Sequence, residues 1–364
     1  MKTIHVHAAP SEYILEDGIL KKLESLLEAR GIARALIVTG TKSWAAIEAF
    51  WPAMADVQTE LYTYGGECSF SEIERVTAMM GDYDAIIGVG GGKVIDLAKA
   101  VANEVHKQVI VVPTLASNCA PWTPLSVLYD DTGAFVRYDV YPVASSLLLV
   151  EPALLLQAPR ELFVAGIGDT IAKWYEADVQ LRTIEHKTVP MMISYEAARQ
   201  CKDILLTQSE KALAAVDTGV VNEAFIQVVE TMFMYAGMVG GYGDHFGRTA
   251  GAHSVHNGLT ALEASHTQLH GVKVAYGICV QLMLEERDEE IEALRPFYDA
   301  LRLPQSLRAL NIEATDAELM AVAQKATIAE ESIHLMPIGD VTAARVFEAM
   351  KKLETCKCPT VSFS

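Results

Sequence analysis

Two groups of residues in this chain have the types and spacing to do chemistry. The first is Gly88-Val89-Gly90-Gly91-Gly92-Lys93-Val94-Ile95-Asp96. An apolar run enters it and a helical pattern leaves it. Its backbone N–H groups and the helix dipole can therefore receive a phosphate, and the glycines let that phosphate reach the main chain. It fits neither common phosphate fingerprint. A GxGxxG beginning at Gly88 would need glycine where Lys93 stands, and a P-loop would need Ser or Thr at Val94 and glycine at Ile87. The plain alternative is a tight strand-to-helix turn with no ligand. The phosphate reading outweighs it, because three consecutive glycines and a lysine are a costly way to make a connection.

The second group is Asp169 in Ala165-Gly166-Ile167-Gly168-Asp169, His253 in Gly251-Ala252-His253-Ser254-Val255-His256-Asn257-Gly258, and His270 in Leu269-His270-Gly271. One carboxylate and two imidazoles suit Zn(II) or Fe(II), with coordination positions left open for water or a substrate oxygen. Spacing alone supports this poorly. No HExxH helix is present, and the chain has ten histidines, so surface or hydrogen-bonded core positions are their commoner fate.

The elements that must position these groups differ between the two halves. Up to about residue 150, short β-branched runs alternate with helical stretches, the pattern of a parallel sheet covered by helices. Ala35 to Gly40, Ala85 to Val89 and Gln108 to Pro113 read as strands that end at Gly or Pro, and Val94 to Val101 reads as a crossover helix. From Glu151 onward Ala, Leu, Glu, Gln and Met dominate, with helical spacing in Asp169 to Val179, Val221 to Val239 and Ala317 to Ala326. The expected division is an α/β domain over 1–157 and an all-α domain over 158–364, with no internal repeat. A length of 364 residues agrees with two domains at about 100 to 200 residues each.

Composition excludes several functions. Half the chain is hydrophobic and 21% is charged, which is a packed globular composition. A formal charge of -18 repels phosphate backbones and anionic membranes, so neither nucleic acid nor membrane is an expected partner and any anion needs a local site. Apolar stretches break within about ten residues, short of the ~20 that span a bilayer. The start, Met1-Lys2-Thr3-Ile4-His5-Val6-His7, has no signal-peptide pattern. Six cysteines (Cys68, Cys119, Cys201, Cys279, Cys356, Cys358) form no CxxC pair, so neither disulfides nor a zinc ribbon are indicated and a reducing cytoplasm is the expected compartment.

Taken together, the motifs resemble the iron-containing alcohol dehydrogenase superfamily, and within it the glycerol dehydrogenase branch with its hydroxycarboxylate dehydrogenase A-like members. The likeness runs from Gly65-Gly66-Glu67-Cys68 through the glycine turn, Pro113-Thr114-Leu115-Ala116-Ser117, Ala165 to Asp169 and His253 to Thr260 to His270-Gly271-Val272-Lys273 and Ile333-His334. It implies a dehydroquinate synthase-like fold: a dinucleotide-binding α/β domain, a helical metal-binding domain and an active site between them. The resemblance assigns Gly90, Gly91, Gly92, Lys93 and Asp96 to the cofactor segment, with Gly91, Gly92 and Lys93 on the pyrophosphate. Thr114, Ser117, Thr123, Leu125 and Tyr129 would line the nucleotide and nicotinamide groove, and Asp169, His253 and His270 would hold a divalent metal. His256 lies beside the metal in such enzymes. It either relays a proton or is simply a helix residue hydrogen-bonded to backbone. The resemblance also implies NAD(P)(H), a small-molecule substrate and a homo-oligomer.

Three departures from the family pattern set finer expectations. Gly40 stands where a strand-end acid would bind the adenosine ribose, so the carboxylate that repels a 2′-phosphate is missing, and Lys42 and Ser43 could receive that phosphate. An ordinary solvated turn is the alternative. Cys119 replaces the Asp that glycerol enzymes set against the substrate hydroxyls; it reads as a small neutral wall, with no Lys or Arg beside it to activate a thiol. Lys173 stands four residues after Asp169, where iron enzymes have a further ligand; three protein ligands remain, which favours Zn over Fe. Its ammonium either grips a substrate carboxylate or pairs with Asp169 or Glu176. Arg248 is a second candidate anion clamp, though five helical residues rotate it well away from His253. The expected reaction is NADPH-dependent reduction of short 2-oxo acids to 2-hydroxy acids. Glycerol oxidation with NAD is the first alternative, and a non-catalytic nucleotide-binding protein is the last. A dehydroquinate synthase is disfavoured, since Asp169 stands in place of its metal-binding Glu.

Overall fold

The computed structural model describes residues 3–355. Cys356 and Cys358 lie outside them; among the described residues Cys68, Cys119, Cys201 and Cys279 form no disulfide. Eight strands come first: β1 (Tyr13–Leu15), β2 (Arg34–Thr39), β3 (Gln58–Thr63), β4 (Ala85–Gly90), β5 (Gln108–Pro113), β6 (Leu125–Tyr129), β7 (Phe135–Val140) and β8 (Leu147–Val150). Six of them form one parallel sheet in the order β1-β8-β5-β4-β2-β3, and β6 and β7 make a separate antiparallel hairpin. Strands buried on both faces must be apolar throughout, which is why β4 reads Ala-Ile-Ile-Gly-Val-Gly without alternation. Leu36, Val38, Ile86 and Val111 pack into one core, while the alternate residues Ala35, Ile37, Ile87, Ile110 and Val112 pack into the other.

The order of the strands locates a crevice. From β2 the chain steps outward to β3, then returns across β2 to β4. Ligands bind open α/β sheets beyond the strand C-termini at such a reversal. Here those ends are Thr39-Gly40 and Gly90-Gly91.

From Pro152 onward the chain is helical. The division expected at 157/158 falls in the turn between Pro152–Leu155 and the long helix Arg160–Leu181. The apolar core is continuous there, since Leu155, Phe163 and Ile167 share a buried cluster with Ile86, Val94 and Val111. One expectation needs correction. The helical run Glu223–Phe246 is long and apolar enough to cross a membrane, whereas the sequence suggested no such stretch. Most of it is buried in the protein, and a single π-helical stretch, Thr231–Tyr235, interrupts it. A buried core helix meets the same criterion of length and composition.

Candidate active site

Three helices bring the candidate ligands together, and glycine sets how closely they approach. Asp169 lies on Arg160–Leu181, His253 on Gly251–Leu259 and His270 on His270–Leu284. A Cβ on Gly271 would stand 1.8 Å from the Ala165 carbonyl oxygen, and one on Gly277 2.3 Å from that of Ala252. The helices therefore cross backbone against backbone, which only glycine permits. As a result, one ligand atom each from Asp169, His253 and His270 falls within 4.8 Å of the others. Nε2 of His253 is 3.2 Å and Nε2 of His270 3.5 Å from Oδ1 of Asp169. That oxygen is buried with no hydrogen-bond donor. An orphaned carboxylate oxygen facing two imidazole nitrogens is a donor set that fits a divalent metal.

The imidazoles are held from behind. Nδ1 of His253 is 2.7 Å from Oε2 of the fully buried Glu176, whose Oε1 accepts from the backbone N–H groups of Ala250 (2.7 Å) and His253 (2.9 Å). A carboxylate can only accept, so Nδ1 carries the proton and Nε2 keeps its lone pair for the metal. Nδ1 of His270 is 3.0 Å from Nε2 of His256, whose Nδ1 is 3.0 Å from Oδ1 of Asn257. His256 is thus tied to side chains on both ring nitrogens, not to backbone. Burial and the charges of His270 and Lys273 keep its pKa well below the ordinary imidazole value.

Lys173 is buried one turn beyond Asp169, and its ammonium donates to the Arg248 carbonyl at 3.2 Å. Burial opposes its charge, but Asp169, Cys119 and Glu176 hold its pKa above the usual lysine value. Arg248 precedes the helix that starts at Gly251, so the helical rotation expected from sequence does not apply. Its guanidinium reaches the Gly240 carbonyl at 3.4 Å and lies 5.4 Å over the Tyr138 ring of the hairpin. Cys119 is half-buried on the loop between β5 and β6, and burial pushes its thiol up. Cations do act on it, namely Lys173, Lys99 and Arg248, contrary to the sequence reading, yet desolvation prevails and the thiol stays protonated.

The same loop is pressed onto the Asp169 helix: a Cβ on Gly166 would meet the Ala116 carbonyl at 2.6 Å. Thr114 is buried at the end of β5, its N–H bonded to the Gly90 carbonyl at 3.1 Å, and Ser117 is half-buried beyond it. Gly91 caps the helix Gly92–Glu104, and a Cβ on Gly92 would lie 2.9 Å from Nδ2 of Asn118. Oγ of Ser43 stands 3.0 Å from where Gly90 would carry a Cβ, which brings the Gly40 turn against the glycine turn. Lys42 is exposed beside it. Lys93 is exposed, 2.5 Å from Oε1 of Glu67 and 5.0 Å over the Tyr129 ring.

Asp96 does a different job from the one the resemblance suggested. Its carboxylate is 2.8 Å from the Lys99 ammonium and accepts from the Val127 N–H at 3.0 Å. Lys99, 1% exposed, also donates to the carbonyls of Ala120, Thr123 and Leu125. The pair anchors β6 to the helix behind it. Thr123 and Leu125 are thereby fixed through their backbones.

Comparison with known proteins decides the family. The iron-containing alcohol dehydrogenase profile matches residues 10–152. Hydroxycarboxylate dehydrogenase A of Escherichia coli (strain K12) is 37% identical over 357 residues, 97% of this chain and 98% of the relative. The chain belongs to the iron-containing alcohol dehydrogenase family. Glycerol dehydrogenase of Thermotoga maritima is 35% identical over 353 residues, 94% of each chain. The crystal structure of glycerol dehydrogenase from Schizosaccharomyces pombe superimposes with a TM-score of 0.86 at 29% identity, covering 97% of this chain and 91% of that one. This dehydrogenase therefore shares both sequence and fold with enzymes acting on CH–OH groups. Within it, sequence reasoning missed Glu176 as the partner of His253. Asp169, Lys173 and Glu176 at i, i+4 and i+7 share one face of an apolar helix, which is the signal that would have found it.

Proposed function

We propose that this dehydrogenase interconverts a small alcohol and its carbonyl compound, with NAD(P)(H) across the β2/β4 crevice and a divalent metal on Asp169, His253 and His270. When bound, a divalent metal would supply Lewis acidity and NAD(P)(H) would supply hydride chemistry. Glu176 and His256 hold the two imidazoles in place, and the loop through Ser117 and Cys119 walls the substrate against them.

Within that reaction, the preferred substrates are short 2-oxo acids, reduced with NADPH. The observation that carries this is Lys173: a buried ammonium one turn from Asp169, donating to one backbone carbonyl, with the neutral Cys119 near it. A substrate carboxylate would use its remaining donors. Three protein ligands, with lysine at the fourth position, favour Zn over Fe. Gly40 without a carboxylate, beside exposed Lys42, supports acceptance of the 2′-phosphate. A cytoplasmic homo-oligomer is the accompanying expectation. Initial rates for 2-oxobutanoate and 2-oxoglutarate with NADPH, beside glycerol with NAD, test the reading. Robust glycerol turnover with none on the acids would replace it with the second reading, glycerol oxidation, which the name of the Thermotoga maritima relative favours.

A further inference from the structure

We propose that Glu331 and Asn257 are positioning residues for His270, fixing from outside the site which of its ring nitrogens is free to bind the metal. Nδ2 of Asn257 is 2.9 Å from Oε1 of Glu331. A carboxylate accepts and cannot donate, so Asn257 must present its NH₂ to Glu331 and its carbonyl oxygen to His256. That oxygen, 3.0 Å away, obliges Nδ1 of His256 to carry the proton. Nε2 of His256 is then an acceptor, and at 3.0 Å it obliges Nδ1 of His270 to carry a proton too. The lone pair of His270 is left on Nε2, which faces Asp169.

One end of the chain of bonds thus sets every direction in it. His253 reaches the same result through its single bond to Glu176, whereas His270, exposed at a helix start, takes three bonds to reach a carboxylate. The far end is firmly held. Glu331 precedes the turn Ser332–Leu335, where the Ile333 N–H donates to Oγ of Ser254 at 3.0 Å and Oγ of Ser332 donates to the Ala250 carbonyl at 3.1 Å. The segment around Glu331 is therefore stitched to the helix that carries His253, His256 and Asn257.

The inference rests on the metal reading of Asp169, His253 and His270, but one readout does not need a metal. In the metal-free full-length chain, long-range ¹⁵N–¹H correlations should show His270 and His256 both protonated on Nδ1; either one protonated on Nε2 instead overturns the proposal. With Zn(II) as the probe, chelator competition should give an affinity about 10- to 100-fold weaker for Asn257→Leu and Glu331→Leu, the usual cost of losing an outer-shell partner. Glu331→Gln retains an acceptor oxygen and should stay within about threefold of the parent. A Zn(II) affinity within twofold of the parent in both folded leucine variants, with only the melting temperature lowered, would reduce Glu331 to a structural clamp. A loss in Glu331→Gln as large as in Glu331→Leu also refutes the acceptor role. If the parent binds no Zn(II), the metal reading fails while the tautomers still decide this inference.

Discussion

Replacing Gly271 with alanine tests the claim that backbone contact between helices builds the proposed metal site. The new Cβ would sit 1.8 Å from the Ala165 carbonyl oxygen, and Cβ contacts below 3.0 Å essentially do not occur. The two helices must part by about 1.2 Å, because the obstructing atom is backbone and has no rotamer to change. His270 is the neighbouring residue and Asp169 lies one turn along the other helix, so most of that displacement enters the ligand spacing. Metal sites tolerate about 0.2 Å, and a misplacement near 1 Å costs on the order of 100-fold in rate. Gly271→Ala should therefore lose at least about 100-fold in kcat/KM and a comparable factor in Zn(II) affinity, with about 1–3 kcal/mol of stability lost to overpacking. Gly219→Ala is the control: a helix C-terminal glycine at φ +68° with nothing within 4 Å, costing about 1 kcal/mol and no activity. The assays are steady-state kinetics, chelator competition and urea unfolding. A folded Gly271→Ala protein with kcat/KM and Zn(II) affinity within twofold of the parent would refute the argument.

Lys173→Met, close in volume and uncharged, should raise KM for 2-oxo acids by at least about tenfold and leave neutral carbonyl substrates near the parent value, since a charged hydrogen bond contributes about 1.5–3 kcal/mol. An equal effect on both substrate classes would remove Lys173 from the substrate site. Glu176→Gln would offer an NH₂ to Nδ1 of His253 and reverse its tautomer; Zn(II) affinity should fall about 10- to 100-fold, and unchanged affinity would show that the carboxylate does not orient the ligand. Lys99→Met leaves Asp96 buried without its cation and should cost about 3–5 kcal/mol in urea unfolding, whereas a loss under 1 kcal/mol would contradict the anchoring role given to the pair.

Legibility in the sequence followed the physics of each element. Gln108 to Pro113 reads as a strand with the observed bounds, because a both-faces-buried strand is an unbroken apolar run and Pro ends it. Val94 to Val101 reads as a helix but conceals the buried Lys99, since a lysine in a helical pattern suggests solvent, not four backbone and side-chain acceptors. Strand β7 was passed over although its turn was written plainly: Oδ1 of Asp130 accepts from the N–H groups of Thr132 and Ala134, both at 2.9 Å, and Gly133 takes φ +84°. Asp169, His253 and His270 were singled out as candidate ligands by residue type and motif resemblance, and the structure brings them together. Their convergence depends on glycine-mediated crossings between distant helices, for which spacing carries no code. The position of Arg248 was misjudged because the helix begins at Gly251 rather than before it. The partners of His270 could not be read at all, as they join residues 256, 257 and 331 through side chains alone.

The contact at Gly166 has a mechanical consequence. It sets the loop between β5 and β6 directly on the backbone of the Asp169 helix, so one part of the sheet half is locked to the helical half. Backbone surfaces this close cannot slide. A relative rotation of the halves would therefore turn about this contact and not slide across it. Ser117 and Cys119 on one side and Asp169 on the other then keep their spacing through the swing, while parts of the cleft farther from the pivot travel. On the proposed function, the substrate wall and the metal ligands would then form one rigid piece.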